Sequence, residues 1–160
     1  MSNSESIVLI IITFIAALIL TLMPMPGWTV WLRPAWVLLI IVYWTMVAPY
    51  RVNVGIAWFL GIILDVLNGT LLGEHALALT ISTYVVSRMY SRLNMFPLLQ
   101  QGLIIFFLVM LYQFIIFCIQ GFIGELPHGW LYWSPCVTSM LLWPWVYSII
   151  GNCRRRLKVA

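Results

Sequence analysis

Between Leu98 and Ile119 the chain reads LLQQGLIIFFLVMLYQFIIFCI, a run that contains no charged residue. An apolar segment of this length is long enough to cross the ~30 Å hydrocarbon core of a bilayer as one α-helix. Working outward, five further apolar runs occupy Ile7 to Met23, Ala35 to Ala48, Val52 to Leu67, Ala76 to Tyr90 and Ser134 to Ile150. The punctuation between runs is of the kind that ends helices: Pro24, Pro26 and Gly27; Pro49 to Arg51; Asn68, Gly69 and Gly73; Arg92, Asn94 and Pro97; Gly121, Gly124, Pro127 and Gly129. Pro34, Pro97 and Pro135 stand where a first-turn proline is tolerated.

Composition agrees with that reading. Of 160 residues, 64% are apolar and 8% charged, with mean hydropathy +1.06. Too few polar side chains are available to clothe a water-soluble globule, which excludes a soluble enzyme or a nucleic-acid-binding domain. At about 20 residues per span plus connections, the length holds about six spans and no extramembrane domain. The expectation is therefore an all-α integral membrane protein, one polytopic domain over residues 1–160. Its six transmembrane helices lie near 7–23, 31–48, 52–67, 75–90, 98–119 and 134–150. The shorter runs rise only about 21–25 Å and must borrow flanking aromatic residues or a thinned bilayer.

Basic residues are retained on the cytoplasmic side of short loops. With both termini inside, the cytoplasmic segments hold Arg51, Arg88, Arg92, Arg154, Arg155, Arg156 and Lys158, and the outer ones hold Arg33 alone. The first run lacks a basic flank and a small-residue cleavage pattern, and reads as a retained anchor. Rings at Trp28, Trp31, Trp36, Tyr50, Trp130, Tyr132, Trp133, Trp143 and Trp145 cluster at run ends as an interfacial belt would. The basic tail serves as a topology anchor and attracts anionic lipid.

One acid lies within a run: Asp65. About 20 Å along its helix from the inner face, it sits in the outer third of the bilayer and must have a partner. Either it handles a proton or ligand, or it accepts hydrogen bonds from the Asn68 to Gly73 turn or from another helix and holds the bundle together. The second role is preferred. Gly55, Gly61, Gly69 and Gly73 suit the third segment to close helix approach, although Gly69 and Gly73 fall in the turn, where backbone conformation is the more natural use. Glu74-His75 reads as a solvated turn. Gln100, Gln101, Gln113 and Gln120 read as interhelical hydrogen-bonding groups rather than substrate ligands. Cys118, Cys136, Cys153, His75 and His128 have no metal-site spacing, and no nucleophilic triad or phosphate loop is present. Neither metal, cofactor nor catalytic residue is expected.

Specific strings add a resemblance. Leu32 to Leu39 (LRPAWVLL), Tyr43-Trp44, Pro49 to Gly55 (PYRVNVG), Gly61 to Asp65 (GIILD) with Gly69 and Leu72-Gly73, and Leu142 to Trp145 (LWPW) resemble the bacterial rod shape-determining MreD family. The likeness is dense from the second to the fourth span and local in the last. It implies a multi-pass inner-membrane protein of the elongation machinery, working beside MreC, the filament protein MreB, the polymerase RodA and a penicillin-binding transpeptidase. It also implies a fold similar to the six-helix substrate-binding subunits of energy-coupling-factor vitamin transporters. The family's third-span aspartate maps onto Asp65 and its basic-aromatic motif onto Arg33, Pro34 and Trp36; no catalytic residue is carried over. The expected function is a non-enzymatic adaptor, with Asp65, Arg33, Arg51 and Asn53 as partner-binding or structural polar fixtures. The alternative is a small-molecule-binding subunit of a transporter, and a lipid-modifying enzyme is weakest.

Overall fold

The computed structural model describes residues 3–29 and 32–156. Among them are six α-helices and no strand: α1 Asn3–Leu22, α2 Trp36–Val47, α3 Val54–Asn68, α4 Glu74–Leu93, α5 Leu98–Ile123 and α6 Ser134–Arg156, with a 3-10 turn at Trp130–Trp133 before α6. Local chemistry sets several of these ends. At the start of α3 the Asn53 side chain accepts hydrogen bonds from the N–H groups of Gly55 (3.1 Å) and Ile56 (3.3 Å), satisfying donors that have no partner inside the helix. Gly69, at φ 68°, ends α3 in the left-handed conformation that glycine adopts without steric penalty.

Several boundaries differ from the sequence expectation: the first helix starts at Asn3 rather than 7, and the fourth runs to Leu93 rather than 90. The second helix begins at Trp36 rather than 31, because the stretch through Pro34 and Ala35 is not helical; Trp31 itself lies outside the described residues. The fifth helix passes through Gly121 and ends at Gly124, whose φ of 90° makes it the terminating glycine. The sixth helix continues to Arg156 and contains Pro144 in its interior. A proline there cannot donate to the carbonyl four residues back, that of Met140. The Met140 carbonyl faces the neighbouring helix at Gly102, where an added Cβ would stand 3.7 Å from it.

The order of packing follows from the apolar pattern. Helix α2 is apolar all round, and Val37 through Met46 are buried without interruption, which makes it the axis of the bundle. Around it stand α1, α4 and α6; α3 pairs with α4, α4 with α5, and α5 with α6. The outer helices keep an apolar exterior, as in Ile7, Ile11, Ile15 and Ile19 of α1 and Leu99, Leu103, Phe107 and Phe114 of α5. Among the described residues, Ser4–Leu22 and Leu98–Ile123 are long and apolar enough to cross a membrane.

Gln101 ties one end of the bundle together. Its amide nitrogen donates to the carbonyls of Leu93 (2.9 Å) and Phe96 (3.2 Å), and its oxygen accepts from the Trp143 indole at 3.2 Å. Asn94 donates to the Met46 carbonyl at 3.0 Å beside it. Trp143 is fully buried, which corrects its assignment to an interfacial belt: its N–H has a protein partner and its ring fills the core. Gln101→Leu leaves two carbonyls and the indole N–H without this partner, and is expected to destabilise the protein by about 2–3 kcal/mol. Melting of the detergent-solubilised variant tests this, and a Gln101→Leu protein as stable as wild type would refute the hub.

Candidate functional site

At the opposite end of the bundle, the last turn of α3 faces the first turn of α4, and Asp65 is the residue that joins them. Its side chain is wholly buried. Oδ1 accepts from the N–H of His75 (2.9 Å), the His75 ring Nδ1 (2.8 Å) and the Thr70 hydroxyl (3.0 Å). Oδ2 accepts from the N–H of Gly73 (2.8 Å) and Ala76 (3.4 Å). The carboxylate thus caps α4 from another helix, taking N–H groups that α4 cannot satisfy and placing negative charge at the positive end of its dipole. The Asp65 carbonyl in turn accepts the N–H groups of Gly69 and Thr70.

Gly73, at φ 103°, lets the turn reverse into α4. The same reversal presses α4 against α3. A Cβ on Gly61 would lie 2.2 Å from the Ala76 Cα and 2.5 Å from its nitrogen, so this crossing admits no side chain.

Glu74 and His75 are not a solvated turn. Glu74 is 3% exposed and accepts a 2.8 Å hydrogen bond from the Gln120 amide, and His75 lies against Asp65. The correction has a simple cause: the hairpin folds this first turn of α4 inward, under α5. Arg33 stands at the same end. Its guanidinium donates to the carbonyl of Thr21 and, at 2.6 Å, to that of Met23, closing the C-terminus of α1. Between these groups lies a cavity of about 270 Å3 lined by Arg33, Trp36, Asn68, His75, Gln113 and Tyr132, among others. Burial and the nearby Glu74 carboxylate hold the Tyr132 phenol above its usual range, so its hydroxyl stays protonated and donates to the Gln113 carbonyl at 3.1 Å.

The structure brings Asp65, Gly69, Gly73 and Arg33 to one end and leaves Arg51 and Asn53 at the other, where Asn53 caps α3 and Arg51 is half-buried in the turn before it. Of the four glycines, Gly61 lies at a helix crossing. Gly55 is exposed, and its nearest neighbour is the Asn53 side chain, so a role in interhelical packing does not fit it. Thr70, His75 and Gln120 are the members of this polar cluster that the sequence did not single out as a group. Among the described residues, no three His, Cys, Asp or Glu side chains come together as a metal site requires.

A family model for the rod shape-determining protein MreD matches residues 2–151. The rod shape-determining protein MreD of Haemophilus influenzae is 32% identical over 146 residues, which is 91% of this chain and 90% of that relative. No solved structure matches significantly. Extent and identity together place the chain in the rod shape-determining MreD family, membrane proteins of the bacterial cell envelope with a role in cell shape.

Proposed function

We propose that this chain is a non-enzymatic adaptor of the bacterial elongation machinery, seated in the inner membrane as a six-span protein. In this reading it docks MreC through its lipid-embedded surface and, with RodA and a penicillin-binding transpeptidase, links MreB filaments to peptidoglycan synthesis. The observation that carries it is the commitment of the buried acids: Asp65 receives five protein donors and Glu74 is held by Gln120. Reactive groups so engaged hold helices in place, and what the molecule offers its surroundings is apolar helix surface. A transporter subunit that used Asp65 to hold its ligand would need that carboxylate unoccupied.

Charge supports the orientation. Arg51, Arg88, Arg92 and Arg154 to Arg156 belong to helix ends and turns at the Gln101 end of the bundle, and Arg33 to the Asp65 end; the positive-inside tendency puts the Gln101 end, with both termini, in the cytoplasm. Lys158 lies outside the described residues. Six helices around a polar cavity at one end support the accompanying likeness to substrate-binding subunits of vitamin transporters. Depletion is expected to turn rods into spheres, and single cysteines at lipid-facing positions of α3 and α6, such as Val66 and Leu141, are expected to crosslink to MreC. Rod-shaped growth in a clean deletion would overturn the proposal.

A further inference from the structure

Two spaces in the molecule meet at one side chain. The first is the polar cavity at the Asp65 end. The second is a groove of about 290 Å3 in which α2 forms the floor between α1 and α6, with Leu9, Ile12, Ala16 and Leu20 on one wall and Val146 and Ile149 on the other. Trp36 lines both. The groove is apolar throughout except for Thr13 and Cys153, and the Thr13 hydroxyl is already engaged, donating to Ile10 and accepting from Trp44. From Leu9 to Leu20 it follows α1 for about 16 Å, close to half the ~30 Å hydrocarbon core, the depth of one leaflet.

The cavity wall has the complementary chemistry. Arg33 is the one permanently charged side chain that lines it. Both terminal guanidinium nitrogens are used on α1, but the Arg33 Nε–H and the Trp36 indole N–H are buried and have no partner among the described residues. Donors left over beside a fixed positive charge call for an anionic oxygen group. Both carboxylates at this end are engaged elsewhere: Asp65 has its oxygens filled by His75 and the turn, and Glu74 is held by Gln120.

We propose that cavity and groove together bind one anionic phospholipid, its phosphate beside Arg33 and Trp36 and one acyl chain along the α1–α6 groove. The proposal rests on the membrane placement above without depending on the adaptor role. Headgroup alone is too small to use the groove, and a chain without phosphate leaves the donors unmatched, so affinity requires both parts.

The full-length protein, purified in detergent, is titrated with dioleoyl phosphatidylglycerol, with dioleoylglycerol, and with glycerol 3-phosphate, and bound species are counted by native mass spectrometry. Expected is one phosphatidylglycerol per protein, held at least about tenfold more tightly than dioleoylglycerol, with glycerol 3-phosphate unable to displace it. Arg33→Gln and, separately, Ala16→Phe, which fills the groove from an exposed position, should each weaken binding about tenfold. Should Arg33→Gln fail to fold, Ala16→Phe still decides the matter. Full displacement by glycerol 3-phosphate would overturn the lipid as ligand and leave a free phosphate site. Several adducts per protein, insensitive to Ala16→Phe, would overturn the site in favour of a nonspecific lipid annulus. Cell shape is not a readout here, so either failure leaves the adaptor proposal standing.

Discussion

Gly61→Ala is expected to remove most of the folded protein. The new Cβ would stand 2.2 Å from the Ala76 Cα and 2.5 Å from its nitrogen, so the obstruction is main chain and no rotamer change relieves it. Helices α3 and α4 would have to part along their contact, and α4 is also anchored at its N-terminus by Asp65 and packed on α2 and α5. Overpacking of this kind costs about 3 kcal/mol or more, a large share of an ordinary folding stability of about 5–15 kcal/mol. Size-exclusion profiles and melting in detergent check the loss. Ala76→Gly should fail to rescue it, because the clash is with backbone atoms that glycine keeps. Rescue by Ala76→Gly, or a stable Gly61→Ala protein, would show that the crossing is looser than described. At Gly55 the same substitution meets only the Asn53 side chain at 3.3 Å and should be far milder.

Asp65→Ala is the second large effect. It leaves the N–H groups of Gly73, His75 and Ala76, the Thr70 hydroxyl and the His75 ring without their shared acceptor. Deleting one member of a buried, charged network costs about 3–5 kcal/mol, chiefly because the partners remain buried. Asp65→Asn keeps one acceptor oxygen and the shape of the side chain but turns the other oxygen into a donor facing an N–H, so it should lie between wild type and alanine. Melting temperature, measured with restoration of rod shape in depleted cells, should rank the three in that order. An Asp65→Ala protein that is as stable as wild type yet fails to restore shape would reassign Asp65 from scaffold to partner contact.

What was legible in the sequence was what depends on periodicity and single strong rules. Long uncharged runs gave the helices, and an acid inside a run singled out Asp65 because burial of an unpaired carboxylate is too unfavourable to leave without a partner. The structure supplies partners from Thr70 and Gly73 of the following turn and from the first turn of the next helix, a capping arrangement that the sequence did not specify. The misses have a common origin in tertiary geometry. Nothing near Glu74 and His75 in sequence tells that a hairpin tucks them under α5, and Trp143 looks interfacial until Gln101, on another helix, is seen to receive its N–H. Glycine is ambiguous in the same way: Gly55 and Gly61 look alike in sequence, and only the path of α4 separates an exposed first-turn residue from a crossing point. The end of α5 was misplaced for a related reason, since Gly121 and Gly124 are both plausible stops and backbone φ decides between them.

The brevity of α2 has a consequence for depth. Twelve helical residues span about 18 Å on the bundle axis, while α1 and α5, with 20 and 26 residues, form the taller perimeter. In the membrane placement proposed above, the axis helix stops about 12 Å short of the ~30 Å hydrocarbon core. Non-helical chain on either side of α2, with Arg33 before it and Arg51 after it, therefore comes within the depth that the perimeter helices span.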